Sequence, residues 1–107
     1  MQVTQLIVLF KLKDESAREA YEAWAQSTDL PVVRALPSVD GFGVQRVSGL
    51  FGTDDPAPFD YVEFIDINSM DQFVADVSTD TMANVAGEFR TFADNPIFML
   101  SNNLEAK

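Results

Sequence analysis

The chain contains neither cysteine nor histidine. Without cysteine there is no disulfide, no thiolate nucleophile and no thiolate metal site. Without histidine the commonest metal ligand and the usual base near neutral pH are gone. A Ser-His-Asp device therefore cannot be built, whatever the serines do. Positive charge is scarce too: seven Lys and Arg stand against seventeen Asp and Glu, for a net charge of −10. Such a surface repels phosphate backbones and anionic headgroups, so neither nucleic acid nor a membrane is expected as a partner. No apolar run approaches the ~18 residues that a spanning helix requires. The opening MQVTQLIVLF lacks a basic leader and a small-residue cleavage site, so a cytoplasmic protein is expected. There is no Gly-rich phosphate loop of the usual form. Asp54, Asp55 and Asp60 lack the spacing of a calcium loop and sit among prolines, so they read as a solvated turn. Neither metal nor cofactor is expected.

What is present is apolar material. Hydrophobic residues make up 47% of the 107, with nine phenylalanines among them. That suffices for one domain over residues 1–107 with a real core, small enough for oligomerisation to add useful burial.

The order of elements follows from periodicity. VTQLIVLFKL alternates as a strand, with Leu6, Val8, Phe10 and Leu12 on one face and Val3, Gln5, Ile7, Leu9 and Lys11 on the other. Ser16 and Glu19 have capping-box spacing before an amphipathic helix that carries Ala17, Ala20, Tyr21 and Trp24 inward. DLPVVRALP follows as a short turn, with Asp29 suited to cap it. Asp40-Gly41 leads into a second strand, SVDGFGVQRVSG, and a Gly- and Pro-marked loop leads to a third, FDYVEFIDI. Asn68 offers a cap for a helical stripe through Met70, Phe73, Val74 and Val77. After a break near Ser78 to Asp80, a second stripe runs through Met82, Val85, Ala86, Phe89 and Phe92. Asn95-Pro96 ends it, and IFMLSNNL is the fourth strand.

The order β-α-β-β-α-β is the split βαβ, or ferredoxin-like, α+β arrangement: a four-stranded antiparallel sheet with its helices on one face. Strands one and three take the centre. The other face of the sheet, with Val3, Ile7 and Leu9, has no cover within the chain, and a patch of that kind calls for a second copy. A homodimer joined sheet to sheet is expected.

LPSVDGFGVQRV resembles the entry into strand two of dimeric α+β barrel proteins. YVEFIDINSMDQFVADV is similar to their third strand and second helix, and MANVAGEFRTFADN to the stretch before their fourth strand. Within that superfamily, whose wider neighbourhood is EthD-like, the chain resembles the RedY-like proteins of prodigiosin-type tripyrrole pigment biosynthesis. The resemblance implies a homodimer that takes part in making such a pigment and binds a small apolar, heteroaromatic intermediate, with or without assisting proton transfer. Two further activities fit the superfamily: a cofactor-free monooxygenase of an aromatic substrate, and a non-catalytic carrier of a reactive intermediate. With no histidine available, haem degradation and His-dependent isomerisation do not transfer to this chain.

Glu63 is the candidate acid or base. Read with Val62 and Phe64 toward the helices, strand three turns Tyr61, Glu63 and Ile65 toward the uncovered face. A carboxyl enclosed in apolar surroundings keeps its proton to higher pH. Alternatively, Glu63 is a structural carboxylate paired with Arg46, Lys11 or a base of a partner chain. Tyr61 is a second candidate, as proton donor or holder of a substrate oxygen, or an ordinary interface tyrosine. Gln5, Arg46 and Ile7 complete the expected ligand contacts on that face, with Ile65. Arg46 could also be an edge-strand charge that blocks aggregation, and Gln5 a polar contact across the interface. Trp24 is either core or, if the cavity lies between sheet and helices, one of its walls. In that alternative Glu63 is expected to lie outside the cavity.

Overall fold

The computed structural model describes residues 4–105. Four strands, β1 (Thr4–Leu12), β2 (Val39–Arg46), β3 (Tyr61–Ile67) and β4 (Ala93–Asn102), form one antiparallel sheet in the order β2-β3-β1-β4. The expected ferredoxin-like α+β arrangement is therefore present, with β1 and β3 central. Val3, expected on the uncovered face, lies outside the described residues.

The first helical stretch departs from expectation. It opens as a 3₁₀ turn (Glu15–Ala17), continues as α1 (Arg18–Trp24), widens into a π turn (Ala25–Asp29) and ends as α2 (Leu30–Arg34). Asp14, and not a Ser16/Glu19 box, caps its start by accepting from the Ser16 N–H at 2.9 Å. The π turn answers a spacing in the sequence. Tyr21, Ala25, Asp29 and Val33 are all buried, each four residues after the last. In a regular α-helix of 3.6 residues per turn that series drifts by about 120° over its length. One extra residue taken up in a π turn cuts the drift to roughly 20°. Leu30 N–H accordingly bonds the Ala25 carbonyl, five residues back. Pro31 follows directly and has no N–H with which to restore the tighter pattern.

The second helical stretch breaks where expected, into α3 (Met70–Asp76) and α4 (Asp80–Phe92). The cap of α3 is Ser69, whose Oγ accepts from the Gln72 N–H at 3.2 Å. Asn68 instead ties two loops, donating through Nδ2 to the Pro37 carbonyl and to Asp40. Thr79 caps α4 through the Met82 N–H. Asn95 does not end a helix. It lies within β4 with φ 47°, where the register against β1 shifts between Leu9 and Lys11. Asparagine tolerates that left-handed backbone better than most residues.

Helices cover the face of the sheet that carries Leu6, Val8, Phe10 and Leu12, as expected. Phe10 is fully buried and meets the rings of Tyr21, Tyr61 and Phe89 at 4.9–5.5 Å between centroids. Ser38 is fully buried beside Asp76, to which its N–H donates at 3.0 Å, and among the described residues its Oγ makes no hydrogen bond of good geometry. An unsatisfied buried hydroxyl costs stability. Ser38→Ala should therefore leave the protein as stable as the wild type or raise its stability by about 1 kcal/mol. A loss of more than that in chemical denaturation would show a hidden role for the hydroxyl.

Strand three faces the opposite way from the sequence reading. The register sets Glu63 beside Val8 and Ile65 beside Leu6, and Tyr61, Glu63, Ile65 and Ile67 are all buried under the helices. Val62 and Phe64 are the residues on the outer face. The deciding pattern is longer than the stretch around Glu63. One alternate set contains Tyr61, Ile65 and Ile67, while the other has Asp60 and Asp66 at its ends. The more apolar set goes inward and takes Glu63 with it.

Candidate functional site

Between the sheet and the helices lies a cavity of about 420 Å³, within the range of small-ligand sites. Its walls are apolar: Leu6 and Val8 of β1, Ile65 of β3, Phe73 of α3, and Val85 and Phe89 of α4. Two carboxyls also line it, Glu63 from β3 and Asp29 from the π turn, each only 5% exposed. Arg90, exposed on α4, lines it as well and makes no ion pair among the described residues. The cavity thus lies on the helix side of the sheet, and Glu63 is one of its walls.

Burial governs the electrostatics here. Desolvation, then the charge of Asp29, push the Glu63 carboxyl up to about 8, partly offset by a hydrogen bond from Tyr21. That bond runs from Tyr21 Oη to Glu63 Oε2 at 3.3 Å. No ion pair of Glu63 with Arg46 or Lys11 occurs among the described residues. Desolvation also raises Asp29, to about 6. The same burial, with Glu63 and Asp29 nearby, raises the Tyr21 phenol, so it remains a neutral donor. At neutral pH this places a protonated Glu63 and an ionised Asp29 in one apolar space.

The other expected residues are dispersed. Ile65 lines the cavity. Trp24 does not: it sits on the seam between α1 and α4, packed on Tyr21 and Phe92, and its indole N–H donates to Glu88 at 2.9 Å. Gln5 and Ile7 lie on the outer face, where Gln5 Nε2 donates to Asp66 at 2.8 Å. They are remote from the cavity because the cavity is on the opposite side of the sheet. Tyr61 and Arg46 share a separate, smaller pocket of about 220 Å³ with Tyr21 and Glu22. There Tyr61 Oη donates to Glu22 at 2.6 Å, and Arg46 Nε donates to the same carboxylate at 2.7 Å. Arg46, then Tyr61, hold the Glu22 carboxyl down at about 2. Arg18 donates to the Tyr61 oxygen at 3.1 Å and lies over its ring. Burial, then the bond to Glu22, push the Tyr61 phenol up to about 12. Tyr21 stands between the two spaces, its ring on the smaller one and its hydroxyl on Glu63.

Asp29 is the functional candidate that sequence reasoning missed. It makes no capping bond. The signal was available in its four-residue spacing from Ala25 and Val33, which sets it on the buried face. Asp60, by contrast, is structural: Oδ2 accepts from the Leu12 N–H at 2.8 Å, and Oδ1 pairs with Arg18 at 3.4 Å. No cluster of metal-ligating side chains occurs among the described residues. None of the helices described is long and apolar enough to cross a membrane.

Comparison with known proteins places this arrangement among relatives. Residues 4–104 match the family model described as REDY-like protein HapK. The crystal structure of HapK from Hahella chejuensis is similar at 29% identity and a TM-score of 0.78, covering 97% of this chain and 95% of that one. An EthD family protein from Bacillus halodurans shares the fold at 16% identity and a TM-score of 0.72, over 97% of this chain and 100% of that one. A dimeric ferredoxin-like protein of unknown function from Thermobifida fusca does so at 15% identity and a TM-score of 0.72, over 95% and 92% of the two chains. No protein of curated function matches the sequence.

Proposed function

The chain belongs to the REDY-like HapK family, and from that premise we propose that it takes part in the biosynthesis of a prodigiosin-type tripyrrole pigment. It binds a small apolar, heteroaromatic intermediate in the cavity between sheet and helices, and Glu63 assists a proton transfer there. The observation that carries this reading is a carboxyl buried in an apolar cavity of ligand size, with no ion-pair partner among the described residues. Such a group is costly to fold around, and its proton is available near neutral pH. Tyr21 orients it, and Arg90 lies where a polar group of the ligand can meet it. Tyr61, bound into the Glu22–Arg46 cluster, supports the Tyr21 side of the partition and has no place in the transfer.

The molecule acts as a homodimer in this reading. The outer face of the sheet carries Ile7 and Leu9 from β1, Val62 and Phe64 from β3, and Ile97 and Met99 from β4. Ile97 and Met99 are more than 40% exposed, which is wasteful on a monomer. Relatives of the same fold are described as dimeric.

The test is pigment formation in a strain lacking the gene. Wild-type protein should restore it, and Glu63→Gln should restore less than a tenth, since losing a positioned acid or base costs about 10²–10⁴-fold in rate. Full restoration by Glu63→Gln would remove the proton-transfer role. Saturable binding of a bipyrrole by both forms, with no effect on turnover, would make the protein a carrier instead.

A further inference from the structure

We propose that Asp29 is the partner of Glu63 in an acid pair lining one cavity, Asp29 being the member that receives a proton or an N–H from the ligand and Glu63 the member that gives one. The inference deepens the reading above, since it assumes that the cavity is where ligand binds.

Its basis is geometric. Both side chains are 5% exposed and line the same cavity. Glu63 has a partner, because Tyr21 Oη donates to it. Among the described residues no hydrogen bond reaches the Asp29 carboxylate, although a π turn in the helix holds it on the buried face. A carboxylate buried to that degree without a donor is a site waiting for one. The groups facing the pair from each packed element are few. Tyr21 comes from α1 and is a neutral donor. Arg90 comes from α4 and is exposed. β1, α3 and the rest of α4 contribute apolar side chains only. Tyr61 and the Glu22–Arg46 pair lie beyond Tyr21, in the smaller pocket. With no buried cation among the described residues to balance them, two carboxylates in one apolar space disfavour each other's ionisation.

The division of roles follows from the same environment. Glu63, the more deeply desolvated, keeps the proton; Asp29 stays ionised. Two carboxyls whose surroundings drive them apart supply an acid and a base at one pH. The proton taken by Asp29 from one ligand atom is matched by the one Glu63 gives to another. The charge of the pair is then unchanged across the step.

The test is a carboxyl ¹³C NMR titration of the ligand-free protein from pH 4 to 10, on wild type, Asp29→Asn and Glu63→Gln. Asp29→Asn should lower the Glu63 midpoint by about one pH unit, as expected for sites that interact this strongly. Glu63 is neutral while Asp29 titrates, so Glu63→Gln should leave the Asp29 midpoint in place and thereby assign the lower step to Asp29. Asp29→Ser repeats the first readout if Asp29→Asn misfolds. A Glu63 midpoint that stays at its wild-type position once Asp29 is replaced would overturn the pair. Because no ligand is used, that failure is distinct from failure of the ligand-binding reading. For the latter, bipyrrole binding to wild type and Asp29→Asn gives a separate readout: loss of at least tenfold in affinity is expected, and equal affinity removes Asp29 from the ligand's contacts.

Discussion

At pH 9 the Glu63→Gln protein should be more stable than the wild type, on the order of 3–5 kcal/mol, and the difference should vanish at pH 4. Glu63 keeps its proton to about 8 in the folded chain, against an ordinary value of 4.5. Between those values the folded state binds more protons than the unfolded state, so stability falls as pH rises. The contribution of the neutral carboxyl is whole below 4.5, declines through the interval and is gone above about 8. Asp29 adds a loss of the same sign between 3.8 and about 6. Glu22 works in the opposite direction. Held at about 2 by Arg46 and Tyr61, it contributes stability above its ordinary 4.5 that is lost as pH falls toward 2. Stability should therefore peak in mildly acid solution. Glutamine removes the alkaline decline while still accepting the Tyr21 hydrogen bond through its amide oxygen. Urea denaturation at pH 4 and pH 9 measures it. Parallel pH profiles for the two proteins would mean that Glu63 is not buried in its neutral form. The same substitution is expected to cut pigment formation to less than a tenth, so one change would raise stability and impair the proposed function. Folded proteins commonly show that exchange where a site holds a strained group.

In the proposed sheet-to-sheet dimer, Phe64→Glu should weaken association at least 100-fold, or about 3 kcal/mol, and leave a monomer. Phe64 lies on the outer face of β3, paired with Ile7 of β1 and Gly43 of β2. A glutamate there would be enclosed by its own copy across a two-fold axis, without a base to meet it. The chain already carries a net charge of −10, so two such chains meet only where apolar burial outweighs repulsion. Sedimentation over a range of concentrations measures the change. A variant that still sediments as a dimer would place the interface elsewhere. Phe64 does not line the cavity, so the variant should also report whether a monomer retains ligand binding.

The fold was legible because its signals are long. Alternation in β1 runs over the whole strand, and the stripes of α3 and α4 repeat several times, so an error at one position does not change the outcome. Strand three was misread because its alternation was weighed over three residues around Glu63. A charge in the middle of a strand suggests the outer face, but the penalty for one buried carboxyl was outweighed by Tyr61, Ile65 and Ile67 going inward together. That orientation set the expected cavity on the outer face, where Gln5 and Ile7 do lie, whereas the cavity is on the helix side with Glu63 in its wall. Asp29 was taken for a cap because aspartate at the head of a short turn commonly is one. Its true place depended on a π turn, which single-residue propensities do not encode. Ser69 and Asn68 differ by one position, and either side chain can cap. Only the loops beyond decide, because Asn68 is needed to hold Pro37 and Asp40.

The ring that failed as a cavity wall has another use. Trp24 is the chain's one tryptophan, tilted against Tyr21 with 6.0 Å between ring centroids. Tyr21 in turn touches Tyr61, the only other tyrosine, at 4.7 Å, and reaches Glu63 with its hydroxyl. All three near-ultraviolet chromophores of consequence are thus one contiguous array, and its middle member is bonded to the carboxyl at the heart of the site. Excitation absorbed by either phenol passes to the single indole, whose emission wavelength reports the polarity around the Glu88 contact. The protein carries a built-in, label-free optical gauge, one bond removed from the proton whose position matters most.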